Sequence, residues 1–296
     1  MPGGREKTIS QSFEYFAPTS IREAVDLLKK HGSEGRCLAG GQSLVPILNL
    51  GLASPRYIID LNRVRELNFI TDDKSHLTIG AMTTHFTLET SEAVREFCPA
   101  LADAAAHVGD VQVRHRGTLG GSVCHADPAG DYAPVLVAVD AELEVVSVRS
   151  KRTINSRHFF KDVFTTALEP DELLTSVRIP KPASRSGSAY QKLEFITGGF
   201  AIVGAAALVG LENSGTCRNL SMAVGGVESI PLWLSDAERE IKGKKIDEEA
   251  LRRTGEIAVS TVRNPLSDIH AEGEYRKDMA GVLAKRALKA ALSRAK

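Results

Sequence analysis

Two glycine pairs carry the residue types most able to do chemistry: Leu38-Ala39-Gly40-Gly41-Gln42-Ser43-Leu44-Val45 and Arg116-Gly117-Thr118-Leu119-Gly120-Gly121-Ser122. Glycine lacks a Cβ, so its backbone can approach a ligand closely and take positive φ. Successive free N–H groups form an anion-binding concavity, and a helix N-terminus behind them adds partial positive charge. Ser43 and Ser122 supply hydroxyls just downstream. Either pair taken alone also reads as a plain turn after a strand. Neither fits the G-x-G-x-x-G or G-x-x-x-x-G-K fingerprints, so a nicotinamide or nucleoside-triphosphate fold is not indicated. Two phosphate-type loops in one chain suit a ligand with a diphosphate, such as FAD.

The segment His125-Ala126-Asp127-Pro128-Ala129-Gly130-Asp131 follows directly. His125 and Asp127 have the chemistry of a general acid and base. Asp127 reads better as a helix cap with Pro128 at the first helical position. Asp131, one turn on, is placed to accept from a sugar or ribityl hydroxyl. Arg114, His115 and Arg116 cluster without interleaved aromatics, which disfavours nucleic acid and suits a solvated loop biased toward an anionic cofactor.

The elements that must position these residues open as β-α-β. Phe13 to Phe16 reads as a strand; Ser20 and Glu23 form a capping box for a helix through Ile21, Ala24, Val25 and Leu28, stopped at His31-Gly32; and Arg36 to Ala39 is the next strand. Ser43 is expected to cap a helix from Leu44 to Leu50. Strands are expected at Tyr57–Leu61, Leu77–Ala81, Glu142–Val148, Leu173–Ile179, Ala201–Leu211 and Asn219–Val224. Helices are expected at Pro99–Val108, Leu234–Ile241, Glu248–Val259 and Tyr275–Arg294, the last with Tyr275, Met279, Val282 and Leu283 on its apolar face. Pro180 to Ser188 is the linker candidate.

Composition bounds the rest. A chain of 296 residues with 43% apolar and 25% charged residues is an ordinary globular protein of two or three domains. Lys plus Arg and Asp plus Glu both number 37, so no net field attracts nucleic acid or an anionic membrane. Cys37, Cys98, Cys124 and Cys217 are scattered, which argues against an iron–sulfur cluster or zinc site within the chain. Met1 to Gln11 is polar and no apolar run is long enough to cross a bilayer, so a cytoplasmic location is expected.

Taken in order, Ala39 to Pro46, Arg116 to Ser122, His125 to Pro128 with Asp131, Pro170 to Leu174 with Ile179-Pro180, and the tail from Glu274 through Leu288 resemble the FAD-binding medium subunit of molybdenum hydroxylases. That group includes carbon monoxide dehydrogenase, xanthine dehydrogenases and dehydrogenases of nicotine-type, quinoline and other N-heterocycles. The resemblance implies an α+β protein: a vanillyl-alcohol-oxidase-type (PCMH-like) FAD-binding domain at 1–180, with subdomains of about 1–56 and 57–180, and a C-terminal α+β flavoprotein domain at 187–296. It implies that Leu38, Ala39, Gly40, Gly41, Gln42, Ser43, Leu44 and Val45 wrap the diphosphate. Thr118, Leu119, Gly120, Gly121 and Ser122 would form the second loop. Val108 and His125 would line the site, Asp131 would hold a cofactor hydroxyl, and Leu174, Lys192 and Phe200 would lie near the flavin. No catalytic side chain and no metal ligand is expected here.

Relatives often carry an acid just before the position of Phe200; here it is Gly199, which implies a more flexible loop at Thr197-Gly198-Gly199. The resemblance further implies a small partner with two 2Fe–2S clusters and a large partner with molybdopterin, assembled as a dimer of heterotrimers. Electrons would pass through FAD to an external acceptor. The competing expectations are a stand-alone FAD-dependent oxidoreductase and a non-enzymatic nucleotide-binding or scaffold protein.

Overall fold

The computed structural model describes residues 12–295, so the expectation for Met1 to Gln11 lies outside the described residues. Three sheets follow one another along the chain. The first is parallel: β1 (Glu14–Phe16), β2 (Gly35–Leu38) and β3 (Tyr57–Asp60) lie in the order β1-β3-β2. Helix α1 (Ile21–His31) crosses between the first two and buries Ala24, Val25 and Leu28. Ser20 caps it through the Glu23 amide at 3.2 Å, but the Glu23 carboxylate reaches the Thr19 amide at 2.7 Å, one residue upstream of where a capping box would send it. Gly32 ends α1 at φ +52°, where a side chain would be strained.

The second sheet is antiparallel. It takes β4 (Ile70–Asp72), β5 (His76–Gly80), β6 (Glu142–Val146) and β7 (Lys151–Asn155). After a small hairpin of β8 (Phe160–Asp162) and β9 (Thr165–Thr166) comes β10 (Leu173–Pro180), and the sheet order is β4-β5-β10-β6-β7. The chain between β5 and β6 is helical. After α2 (Leu44–Asn49), which follows β2, the helices are α3 (His85–Thr90), α4 (Glu92–Phe97), α5 (Pro99–His107), α6 (Val111–Arg116), α7 (Leu119–His125) and α8 (Tyr132–Ala138); a short α9 (Ser156–Phe159) follows β7. Every residue of α8 is buried, as expected of a helix apolar all round.

The third sheet begins at Ser186, so the linker contracts to residues 181–185. Strands β11 (Ser186–Glu194), β12 (Ala201–Leu211), β13 (Cys217–Gly225) and β14 (Leu232–Trp233) pair antiparallel in that order. Antiparallel sheets often wet one face; this one is covered on both. Ala206 and Ala223 join the core shared with α5, α7 and α8, whereas Ala205, Ala207 and Val209 face the C-terminal helices. That explains the near-continuous apolar run of β12.

Those helices are α10 (Ser235–Ile241), α11 (Glu248–Thr261) and α12 (Gly273–Arg294). The apolar face expected on α12 is rotated: Tyr275 is exposed, and the buried stripe is Arg276, Ala280, Leu283, Ala284, Ala287, Leu288 and Ala291. Small residues let α12 lie close to its neighbours. A Cβ on Gly281 would stand 2.9 Å from the Gly255 carbonyl oxygen of α11.

Candidate functional site

The first glycine segment leaves the carboxyl end of β2 and turns sharply, with Gly41 at φ +77°. The amides of Gly40, Gly41, Gln42, Ser43 and Leu44 donate to no acceptor among the described residues. Helical bonding starts only at Val45, whose N–H donates to the Gly41 carbonyl at 3.1 Å. Five successive unpaired donors, one of them on the buried Gly40, make an anion nest. Ser43 does not cap α2: it has helical φ and ψ and its hydroxyl accepts no amide there. Gly40 is glycine for a packing reason, since a Cβ would lie 2.2 Å from the Arg116 carbonyl oxygen and 2.6 Å from Gly117 Cα.

The second segment is not a loop. Thr118 caps α7, and Leu119 to Ser122 is its first turn. The donors are spent inside the protein: Leu119 N–H on Thr83 O at 2.9 Å, Gly120 N–H on Ala81 O at 2.8 Å, and Gly121 N–H on Thr118 Oγ1 at 3.1 Å. Gly120 and Gly121 allow close packing instead, against Ala81 and toward Ala39. The two segments therefore touch but differ: the first presents free amides and the second braces it.

Beside this junction opens a cleft of about 420 Å³, lined by Arg65, His115 and Arg116, by Asn62, Asn68, Thr84 and Thr118, and by apolar Leu61, Val64 and Met82. No acidic side chain lines it. Asn62 Nδ2 donates to the Ala39 carbonyl at 2.9 Å, tying the cleft to the glycine turn. Sequence reasoning missed Asn62 and Arg65. The available signal was topological: β2 and β3 are parallel, and ligands of such sheets collect at the carboxyl ends of the strands, where Asn62 follows Asp60.

Asp127 starts no helix. Its carboxylate accepts the Ala129 amide at 2.9 Å in a turn, and α8 begins at Tyr132. The carbonyls of Pro128 and Ala129, which a helix from Pro128 would need, accept amides of Gly226 and Ala201 from the third sheet. Asp131, just before α8, is buried. Its Oδ1 accepts from the Tyr190 hydroxyl at 2.7 Å and lies 3.0 Å from Lys192 Nζ. Burial pushes the Asp131 carboxyl up, against the downward pull of the Lys192 ammonium. Lys192 Nζ also reaches Glu194 at 3.2 Å and the His107 carbonyl at 3.0 Å.

The other expected site residues are dispersed. Val108 follows α5, and Gly109 beyond it lies against Gly198 of the β11–β12 connection, where a Cβ would meet the Gly109 oxygen at 2.6 Å. Phe195, Ile196 and Phe200 on that connection are exposed. Leu174 is buried in β10, so its side chain belongs to the core. His125 is packed on the Phe164 ring at 4.9 Å, and burial holds its pKa down. A further buried polar pair was not anticipated: His85 Nδ1 lies 2.8 Å from the Tyr132 hydroxyl, and burial with nearby Arg114 pushes His85 down to about 4.

The nest, the acid-free cleft and their mutual packing fit a phosphate-bearing dinucleotide. Among the described residues there is no cluster of three or more His, Cys, Asp or Glu able to hold a metal ion, and no helix long and apolar enough to cross a membrane.

Residues 11–182 match the family model of the FAD binding domain in molybdopterin dehydrogenase, and residues 188–291 that of the CO dehydrogenase flavoprotein C-terminal domain. The chain is similar to the carbon monoxide dehydrogenase medium chain of Afipia carboxidovorans, with 36% identity over 288 residues, 97% of this chain and 99% of the other. It is 33% identical to the 6-hydroxypseudooxynicotine dehydrogenase complex subunit alpha of Paenarthrobacter nicotinovorans, over 96% of each chain. Among solved structures, carbon monoxide dehydrogenase from Hydrogenophaga pseudoflava superposes with a TM-score of 0.93 at 37% identity, covering 97% of this chain and 99% of that one. Quinoline 2-oxidoreductase from Pseudomonas putida 86 does so at 0.89 and 33%, covering 96% and 98%. The chain belongs to the family of FAD-binding medium subunits of the molybdenum hydroxylases.

Proposed function

We propose that this chain is the flavin relay of a heterotrimeric molybdenum hydroxylase, taking electrons from iron–sulfur clusters on a small partner and passing them to an external acceptor. A large partner carries molybdopterin and the organic substrate, and the complex works in the cytoplasm as a dimer of heterotrimers. Residues 1–180 form the FAD-binding domain, in subdomains of about 1–56 and 57–180, and residues 187–296 form the second domain. When bound, FAD supplies the capacity to accept electrons and release them to the acceptor.

The observation that carries this reading is the arc of five unpaired amides from Gly40 to Leu44 beside a cleft with three basic and no acidic side chains. The amides hold the diphosphate, and Arg65 and Arg116 add positive charge. Thr118 to Ser122 fix the turn from behind. Asp131 keeps acceptor capacity for a cofactor hydroxyl, and Val108, His125, Leu174, Lys192 and Phe200 are its further neighbours.

The test is to express the full chain, load it with FAD, and assay substrate-driven dye reduction with and without the two partner subunits. Turnover only in the reassembled complex is expected. Turnover by the lone chain would establish a stand-alone oxidoreductase instead, and a chain that takes up no FAD would leave the nucleotide-binding or scaffold alternative.

A further inference from the structure

We propose that Tyr190 is a positioning residue for the cofactor, acting through Asp131. The proposal rests on the reading of Asp131 as a contact of FAD. Tyr190 stands on β11, is 1% exposed, and is itself none of the residues expected to touch the cofactor. Its hydroxyl crosses the neighbouring strand to reach Asp131. A Cβ on Gly204 of β12 would lie 2.3 Å from the hydroxyl oxygen and 3.0 Å from the ring carbons, so only glycine leaves that path open.

The backbone of Tyr190 is fixed as well. Its amide donates to Asp103 Oδ2 at 3.1 Å, and Asp103 is gripped by Arg294 at 2.6 and 3.1 Å. The phenol is thus a rigid donor, and burial keeps it protonated by pushing its pKa well above the ordinary value.

The acceptor count at Asp131 gives this donor its importance. A carboxylate offers about four lone-pair positions. On Oδ1, one is taken by the Tyr190 hydroxyl at 2.7 Å, with the Lys192 ammonium standing 3.0 Å away. On Oδ2, one is taken by Lys192 at 3.2 Å. One position on Oδ2 is left for a ligand hydroxyl. The Lys192 ammonium, itself held by the His107 carbonyl, anchors Oδ2. The χ2 torsion of Asp is broad, so it takes the second bond, from Tyr190 to Oδ1, to aim the free position of Oδ2.

The experiment is FAD titration of the full chain as wild type, Tyr190→Phe, Asp131→Ala and the double variant, each well below its unfolding temperature so that lost stability does not enter. Tyr190→Phe keeps the ring and removes only the hydroxyl. Its FAD dissociation constant is expected to rise about five- to tenfold. In the Asp131→Ala background the same change is expected to do nothing more, because the hydroxyl then has no carboxylate to aim. That coupling is the readout a merely structural role for Tyr190 does not produce. Unchanged affinity in Tyr190→Phe overturns the proposal while wild-type FAD binding leaves the functional reading standing, and so does an equal loss in both backgrounds. If Asp131→Ala does not fold, Asp131→Asn takes its place in the same cycle, with the same absence of a further loss expected. A wild-type chain that takes up no FAD overturns the functional reading and this proposal with it.

Discussion

Gly40 lies with its Cα against the backbone of Arg116, so close that a Cβ would be 2.2 Å from the Arg116 carbonyl oxygen. The two glycine segments are thereby locked together through main chain alone. Gly40→Ala is expected to destabilise the chain without FAD by about 2 kcal/mol, since the obstructing atoms are backbone and cannot rotate away. Chemical denaturation of the apo chain measures this; an unchanged midpoint would show that the segments separate easily.

Gly41 should behave differently. Its φ of +77° strains any L side chain, while a Cβ meets nothing nearer than Val45 Cγ2 at 3.2 Å. Gly41→Ala is expected to cost about 1 kcal/mol of stability and to weaken FAD binding further by bending the nest. Gly41→Asn should retain more affinity, because Asn tolerates this region better. Equal FAD affinity in wild type and Gly41→Ala would remove the nest from the site.

Arg65 and Arg116 are exposed and face the acid-free cleft. Arg65→Gln and Arg116→Gln should each raise the FAD dissociation constant about threefold, as expected for partly solvated charges. The salt dependence of binding should flatten in the double variant. Titrations at low and high salt check this, and a double variant with wild-type affinity at both would dissociate the cleft from the cofactor.

His85 gives the apo chain an acid sensitivity. Its folded pKa is pushed down to about 4 from 6.5. Above 6.5 it is neutral folded and unfolded. Below that, the unfolded chain binds the proton first, so stability falls as pH drops from 6.5 to about 4. The contribution reaches roughly 3 kcal/mol. His85→Asn keeps an acceptor near the Tyr132 hydroxyl without titrating. Its stability should vary less than that of wild type across this window. Parallel pH–stability curves would refute the assignment.

Much of the fold was legible because single elements announce themselves: the α1 periodicity, the strand at Leu173 and the run at Ala201. What escaped was decided by tertiary hydrogen bonds. No local rule says that the third sheet takes the carbonyls of Pro128 and Ala129 and delays α8 to Tyr132. Both glycine pairs look alike in sequence, yet one keeps its amides free and the other spends them on Ala81, Thr83 and Thr118, residues fixed only once β5 is in place. Asn62 and Arg65 enter the cleft through the parallel pairing of β3, a long-range fact. The face of α12 was misjudged because large apolar residues were favoured over the alanines that allow close approach.

The two-sided covering of β12 sets an order on the birth of the protein. Synthesis runs from the N-terminus, and the strand is complete at Leu211, but α12, which closes its outer face, extends to Arg294. Until α12 has been made, an eleven-residue apolar strand has only its inner cover. Exposed strands of this kind invite aggregation before the chain is complete. Helix α12 is therefore the element whose arrival hides this strand, and a ribosome that stalls before Gly273 leaves a chain for chaperones to hold.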